Sequence, residues 1–393
     1  MENEMLRLAK GVEEYIIKHR RELHKIPELH LDLPNTLKYI TDELDELGIN
    51  YEVYKDISSV VAVIEGRKKG KTLAIRCDMD GLPIVEETNL PFASINKNMH
   101  ACGHDGHMAV LLGTAKLLKE RNNFNGRVKL IFQAGEEYPG GAKLLIERGV
   151  LKDVDSIIGM HAGNLHKDLP KGCVGFKVGP LMSSMDRFLI RVLGKGGHGA
   201  SPENTVDCIN IACEIVQSLN KIPSREVSAT EPAIISVTRI NGGINQNVLP
   251  NVVEIEGTCR STSEQVRQLM YRRIGEVSKA IANCFGADVE YQYDFKYPAL
   301  MNDEEFTKFL IKSTEKIISA DNIKILKNPV MSSDDMAFYL HDIPGSYFFL
   351  SNPKCGHCPT PHHNSKFDMD EELLYLPVAI YLNIVEEFLN EDN

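Results

Sequence analysis

The sequence predicts an α/β fold: a mostly parallel sheet flanked by helices, with a ferredoxin-like α+β module inserted as a unit. Three observations predict it. Strand-like and helix-like patterns alternate between residues 60 and 160, the signature of βαβ units. Charged and imidazole side chains fall at the ends of several of those strands, where open α/β sheets place their sites. From about Met185 the pattern changes to βαββαβ, the ferredoxin-like order. A chain of 393 residues is long for one core. Segments 1–184 and 298–393 are therefore assigned to one domain and 185–297 to the inserted one.

Taken in order, apolar side chains recur at helical spacing over 6–25 and stop before Pro27. Stretches 60–66 and 72–80 alternate on either side of Arg67-Lys68-Lys69-Gly70 and read as two adjacent strands, the second ending in Asp78-Met79-Asp80-Gly81. A helix runs to about Arg121, followed by a strand over 127–134 that ends in Gly135-Glu136-Glu137. A helix over 141–150 leads to a short strand over 156–160, closed by His161. In the inserted module, strands over 188–193, 233–240, 252–259 and 289–297 alternate with helices over 205–219 and 264–283. The first domain resumes with helices over 302–317 and 335–340, a strand over 346–350 and a closing helix over 371–387.

Composition narrows the partners. The net charge of −11 argues against nucleic acid, whose phosphates need a concentrated basic surface. No apolar run reaches the ~18–20 residues of a membrane span, and Met1 to Lys10 is charged rather than signal-like. A cytoplasmic location without a membrane partner is the expectation. The nine cysteines are scattered without a framework and read as reduced thiols.

The densest chemistry lies in Met99-His100-Ala101-Cys102-Gly103-His104-Asp105-Gly106-His107-Met108. Folding alone rarely needs so many groups able to bind a metal or orient a ligand. Gly103 and Gly106 let the backbone turn tightly before an apolar helix. Cys102 and His104 can reach one pocket from a bent backbone. Glu137 and His161 come from neighbouring strand ends, and His363 comes from the late loop Pro361-His362-His363-Asn364-Ser365. This mixed sulfur, nitrogen and oxygen set is too large for a closed tetrahedral site. It suits two divalent ions sharing a ligand, zinc first, with nickel, cobalt or manganese also admitted. Two such ions are the machinery of hydrolysis, and Glu136, beside Glu137, is the carboxylate available as general base and acid.

Other residues carry two readings. Asp78 and Asp80 share one strand face, where they orient a ligand imidazole or merely cap a turn. His198, in Gly196-Gly197-His198-Gly199, is an oxyanion donor or part of a plain surface loop. Asn247 and Arg260 hold a substrate carboxylate or carbonyl, or else serve as a turn cap and a solvated cation.

Most of the chain resembles the N-acyl-amino-acid amidohydrolases, hippurate hydrolases and auxin-conjugate hydrolases, a branch of the aminoacylase and carboxypeptidase group. The carrying stretches are Arg20-Arg21-Glu22-Leu23-His24, Asp78-Met79-Asp80-Gly81-Leu82-Pro83, the Met99–His107 cluster, Gln133-Ala134-Gly135-Glu136-Glu137, Gly196-Gly197-His198 and Asn247-Val248-Leu249-Pro250. The resemblance implies a zinc-exopeptidase-like catalytic domain and an inserted lid domain. It implies Cys102, His104, Glu137, His161 and His363 as metal ligands, and Glu136 as the acid/base. It also implies a homodimer or higher oligomer through the lid, with His198 reaching the active site of a partner subunit. The chain departs from the family pattern at Cys355-Gly356-His357-Cys358, either a second metal or redox spot or an ordinary loop, which leaves His362 as a rival to His363.

The expected activity is hydrolysis of the amide of an N-acyl amino acid, with Asp80 and His198 joining Glu136 in catalysis. The alternatives are a dipeptidase or carboxypeptidase acting on short unblocked peptides, or a lidded binder of amino-acid derivatives without turnover.

Overall fold

A computed structural model describes residues 3–355 and 359–390. The chain forms two compact units, Met1–Leu181 with Met301–Asn328 and Asp334–Asn393, and Met182–Leu300 with Pro329–Ser333. Segment Pro329–Ser333 thus joins the second unit, whereas the sequence pattern leaves it in the first.

The described residues of the first unit build an eight-stranded sheet in the order Asn50–Tyr54, Ser59–Glu65, Arg127–Gln133, Thr72–Asp78, Ser156–Gly163, Gly345–Ser351, Val174–Phe176, Ile323–Ile325. Its centre is parallel: Thr72–Asp78 pairs in parallel with both neighbours, as does Gly345–Ser351 with Ser156–Gly163. Antiparallel pairs lie further out, at Asn50–Tyr54 with Ser59–Glu65, Ser59–Glu65 with Arg127–Gln133, and Gly345–Ser351 with Val174–Phe176. Strands Thr72–Asp78, Ser156–Gly163 and Gly345–Ser351 are buried at every position, the pattern of strands covered on both faces.

Two sequence-based expectations fail here. Ser59–Glu65 and Thr72–Asp78 are not neighbours, because Arg127–Gln133 lies between them. The intervening turn is bound to the start of that third strand, with Gly66 N donating to Gly126 O (2.8 Å), Arg67 N to Phe124 O (2.8 Å) and Gly126 N to Lys68 O (2.7 Å). Gly126, at φ +66°, passes so close that an added Cβ would meet Lys71 O at 1.9 Å. The helix expected over 6–25 is two helices, Glu4–Gly11 and Glu13–His24, separated at Val12, whose φ of −113° and ψ of 14° leave the helical region. Helix Pro34–Glu46 and strands Asn50–Tyr54, Val174–Phe176 and Ile323–Ile325 are elements the sequence pattern did not announce.

Helix His104–Arg121 is buried over most of its length. It packs against Glu13–His24 and Tyr375–Asn390, with Ile16, Leu112 and Val378 in one core.

In the second unit, the strands run in the order Ala233–Gly242, Val252–Ser261, Met185–Leu193, Asp288–Tyr297, antiparallel throughout. Helices Cys208–Leu219 and Glu264–Cys284 share its core, and burial alternates along Val252–Ser261 as a one-sided sheet requires. This is the ferredoxin-like arrangement. A separate ribbon pairs Gly197–His198 with Val248–Leu249. Among the described residues no helix is long and apolar enough to cross a membrane.

Candidate metal centre

The parallel strands deliver their side chains to one place. Thr72–Asp78 runs into Asp80, Arg127–Gln133 into Glu136 and Glu137, and Ser156–Gly163 carries His161 near its end. Helix His104–Arg121 starts beside them after Gly103, which at φ +90° makes a turn that a side chain would strain. His363 arrives from far along the chain, its N–H bound to Ala101 O at 2.9 Å.

These groups converge. Cys102, His104 and His161 bring their ligand atoms within 4.8 Å of one another, and so do Cys102, Glu137 and His363. Cys102 belongs to both triads. A third set joins His104 with Glu136 and Glu137. His161 Nε2 lies 3.4 Å from the Cys102 sulfur, and His363 Nε2 lies 3.1 Å from Glu137 Oε1.

The hydrogen bonds fix which atoms face inward. His161 Nδ1 donates to Ala162 O at 2.8 Å and His104 Nδ1 to Asp80 O at 2.8 Å, which leaves both Nε2 lone pairs for a ligand. Buried His104 Nε2 has no hydrogen-bond partner, a costly state unless a cation takes it. His107, grouped with Asp78 and His104 by distance, is different. Its Nδ1 is 2.6 Å from Asp78 Oδ1 and its Nε2 accepts from Ala162 N at 2.9 Å, so both nitrogens are used. His362 has only one nitrogen engaged, its Nε2 accepting from Asn164 N at 3.0 Å, while its buried Nδ1 has no hydrogen-bond partner; the more exposed His363 is the one whose Nε2 faces Glu137.

The electrostatics call for positive charge. Burial, reinforced by Glu137 and Glu136, pushes the Cys102 thiol well above its ordinary range, so a thiolate there needs a cation beside it. Burial pulls His104 down, but Asp78, Asp80 and Glu137 outweigh it and hold the ring up to about 10. Burial also keeps His161 neutral, far below the usual imidazole range. A soft thiolate, three imidazoles and a carboxylate are donors that would suit two divalent cations. Burial, with Asp334, Glu137, Asp335 and Asp80 nearby, pushes the Glu136 carboxyl well upward.

Of the two aspartates, Asp80 stands beside a donor ring, its carboxylate 3.7 Å from His104 Nδ1. Asp78 orients His107 rather than one of the inward-facing rings. Asp80 orients His104 through its carbonyl, and its carboxylate accepts the backbone N–H of Glu136 (2.9 Å) and of Glu137 (3.0 Å). In the second unit His198 is exposed, with Nδ1 accepting from Ala200 N at 3.1 Å, which leaves Nε2–H as a donor. Asn247 is exposed on the facing side of that ribbon, its carbonyl accepting from Gly199 N. Arg260 donates to Met331 O at 3.0 Å. Cys355 is exposed, while Cys358, with Gly356 and His357, lies outside the described residues.

Sequence reasoning missed the charged groups beneath the site. Arg76 donates to Gln133, Asp78, Asp334 and Asp335 from inside the sheet. A lone arginine in the apolar run Leu73-Ala74-Ile75-Arg76-Cys77 was the available signal, since a buried arginine requires carboxylates. A second network joins buried Arg20 to Asp105 (2.8 Å), Asp368 (3.2 Å) and Glu371 (3.0 Å), and His24 to Asp105 (2.7 Å) and Glu86 (3.2 Å).

His24 yields a pH prediction. Burial and Arg20 lower its proton affinity, while Asp105 and Glu86 raise it further, to about 9; the rings of Phe92 and His100 complete its surroundings. Because the folded value exceeds the unfolded ~6.5, the stabilisation is full below about pH 6.5 and is lost as pH rises through about 9. Between pH 6 and 10 the unfolding free energy of the native protein should fall by on the order of 2 kcal/mol more than that of His24→Gln. Parallel urea curves for the two proteins would contradict this.

A site built at the carboxyl ends of a parallel sheet from two donor triads with a common thiol defines a class before any comparison is made, that of metal-dependent hydrolases. The chain matches Peptidase family M20/M25/M40 over residues 74–387 and belongs to that family; it is a hydrolase of amide bonds. It is 38% identical over 391 residues to thermostable carboxypeptidase 1 of Saccharolobus solfataricus, covering 98% of each chain. It is 41% identical over 306 residues to the N-acyl-L-amino acid amidohydrolase of Geobacillus stearothermophilus, covering 77% of this chain and 82% of that one. The crystal structure of the YXEP protein of Bacillus subtilis, described as a dinuclear metal binding peptidase from the M20 family, superposes with a TM-score of 0.85 at 34% identity over 98% of this chain and 100% of that one.

Proposed function

We propose that the protein cleaves the amide bond of N-acyl amino acids, releasing a carboxylate and a free amino acid, with two divalent cations held by Cys102, His104, Glu137, His161 and His363. The observation that carries this reading is the membership of Cys102 in both donor triads, with Glu136 adjoining them. When bound, such a pair supplies Lewis acidity that lowers the pKa of a water and polarises a carbonyl. Glu136 takes the proton of the attacking water at its carboxylate and returns it to the leaving amine nitrogen. Asp80 contributes by fixing the backbone from which Glu136 projects. His198, with Nε2–H free to donate, stabilises the developing oxyanion, and Asn247 and Arg260 hold the substrate carboxylate.

The same reading has the chain pair with a second copy of itself through the second unit. Supporting it, Ala233–Gly242 is an edge strand, and Ile234, Ile240, Ile244 and Val248 are exposed on or near it. The buried free thiols Cys77, Cys102 and Cys173 support a reducing, cytoplasmic setting. The deciding experiment assays the purified, zinc- or manganese-loaded protein on a panel of N-acetyl and N-benzoyl amino acids against unblocked dipeptides, reading released amine. The N-acyl compounds should exceed the dipeptides in kcat/KM by at least about tenfold. Turnover of dipeptides alone would replace the reading with a peptidase, and binding without turnover would replace it with a carrier.

A further inference from the structure

Asp335 begins helix Met336–Asp342 at the position where an aspartate ordinarily caps its own helix, yet its side chain makes no such bond. Helix Ala142–Glu147, which follows the loop bearing Glu136 and Glu137, has the opposite defect: its cap residue is Gly141, with no side chain to offer. Gly141 cannot be exchanged for a capping residue, since an added Cβ would meet Ala134 O at 1.8 Å. The carboxylate of Asp335 supplies what Gly141 lacks, accepting Ala142 N at 2.8 Å on Oδ2.

The same carboxylate also holds the other end of that loop. Gln133, the last residue of its strand, donates from Nε2 to Asp335 Oδ2 at 2.7 Å and to Oδ1 at 2.9 Å. One buried side chain thus ties residue 133 to residue 142 across segment 134–141. Arg76 Nη2 at 2.6 Å neutralises it and, through Nε at 3.0 Å, aligns the Gln133 carbonyl, which also accepts from the Tyr339 hydroxyl. Carboxylate oxygens of Glu136, Asp334 and Asp335 lie within 4.8 Å of one another, so the base packs directly against the clasp.

We infer that Asp335 is a positioning residue for the reaction, closing the loop that carries Glu136 by bonding both of its ends. Together with Asp80, which holds the middle through the amides of Glu136 and Glu137, it fixes the loop at three points. The inference rests on the role proposed for Glu136, and its first test does not involve catalysis. In Asp335→Ala, amide exchange of the peptide spanning 134–142 should rise at least about tenfold, while strand Ser156–Gly163 keeps its protection. Loss of the clasp should then lower kcat per folded molecule by about 10–100-fold with KM within about twofold. Asp335→Asn, of the same size and able to accept at one end, should recover part of both effects, and it serves as the principal variant if the alanine form does not fold. Unchanged exchange over 134–142 in the folded variant would overturn the inference whatever the activity. Raised exchange with unchanged kcat would refute the positioning role while leaving the clasp. If the native protein itself shows no turnover, the exchange result still stands, so failure of the proposed function is recognised separately.

Discussion

Glu136→Gln is expected to leave the protein folded and its metal content unchanged while kcat falls by about 10²–10⁴-fold, the range over which a positioned proton carrier contributes. Glutamine keeps the size of the side chain but can neither take the proton from water nor deliver one to the departing amine. The ligand atoms of Cys102, His104, Glu137, His161 and His363 are untouched by the change, and the backbone amides at 136 and 137 still meet Asp80. Elemental analysis beside steady-state kinetics therefore separates the two roles. A variant that kept its metal and more than about a tenth of native kcat would remove Glu136 from the mechanism; one that lost its metal would make it a ligand instead.

Arg20→Met is expected to cost about 3–5 kcal/mol of unfolding free energy, the penalty of leaving buried charges without their partner. Arg20 is fully buried and faces three carboxylates, Asp105, Asp368 and Glu371. Arg21 continues to hold Glu371 and His24 continues to hold Asp105, so the loss should stay finite and the variant recoverable. Asp105 directly follows His104 in the first turn of the site helix, so metal affinity should fall alongside stability. Urea denaturation with metal titration reads both. A stability change under about 1 kcal/mol would mean that the remaining cations suffice, and that Arg20 serves packing rather than charge balance.

The donor set was legible in the sequence because its members stand in short, unusual strings. Cys102 and His104 flank a glycine, Glu136 and Glu137 close a strand, and His161 closes another. The parallel centre of the sheet and the ferredoxin-like insertion were legible from periodicity for the same reason. What supports the site was not. Nothing local marks Asp334 and Asp335, and only the fold shows them against Arg76, more than 250 residues earlier. The Asp80 carboxylate faces the His104 ring, but it also accepts two backbone amides, and those partners leave no trace in residue identity. Strand order failed where glycine geometry decided it, because a tight turn at 66–71 resembles a hairpin until Gly126 is seen inserted against it. The break at Val12 follows Gly11, a local mark that the continuous helical spacing of apolar side chains on either side obscures.

The bond from His363 N to Ala101 O makes the late loop a structural neighbour of the early cluster. During synthesis on the ribosome, Cys102 and His104 emerge some 260 residues ahead of their last companion. Until that companion arrives, the nascent chain exposes a thiol and imidazoles as an open, weak chelator. On the proposed ligand set, tight cation capture waits for His363 and so follows the synthesis and folding of the segments between.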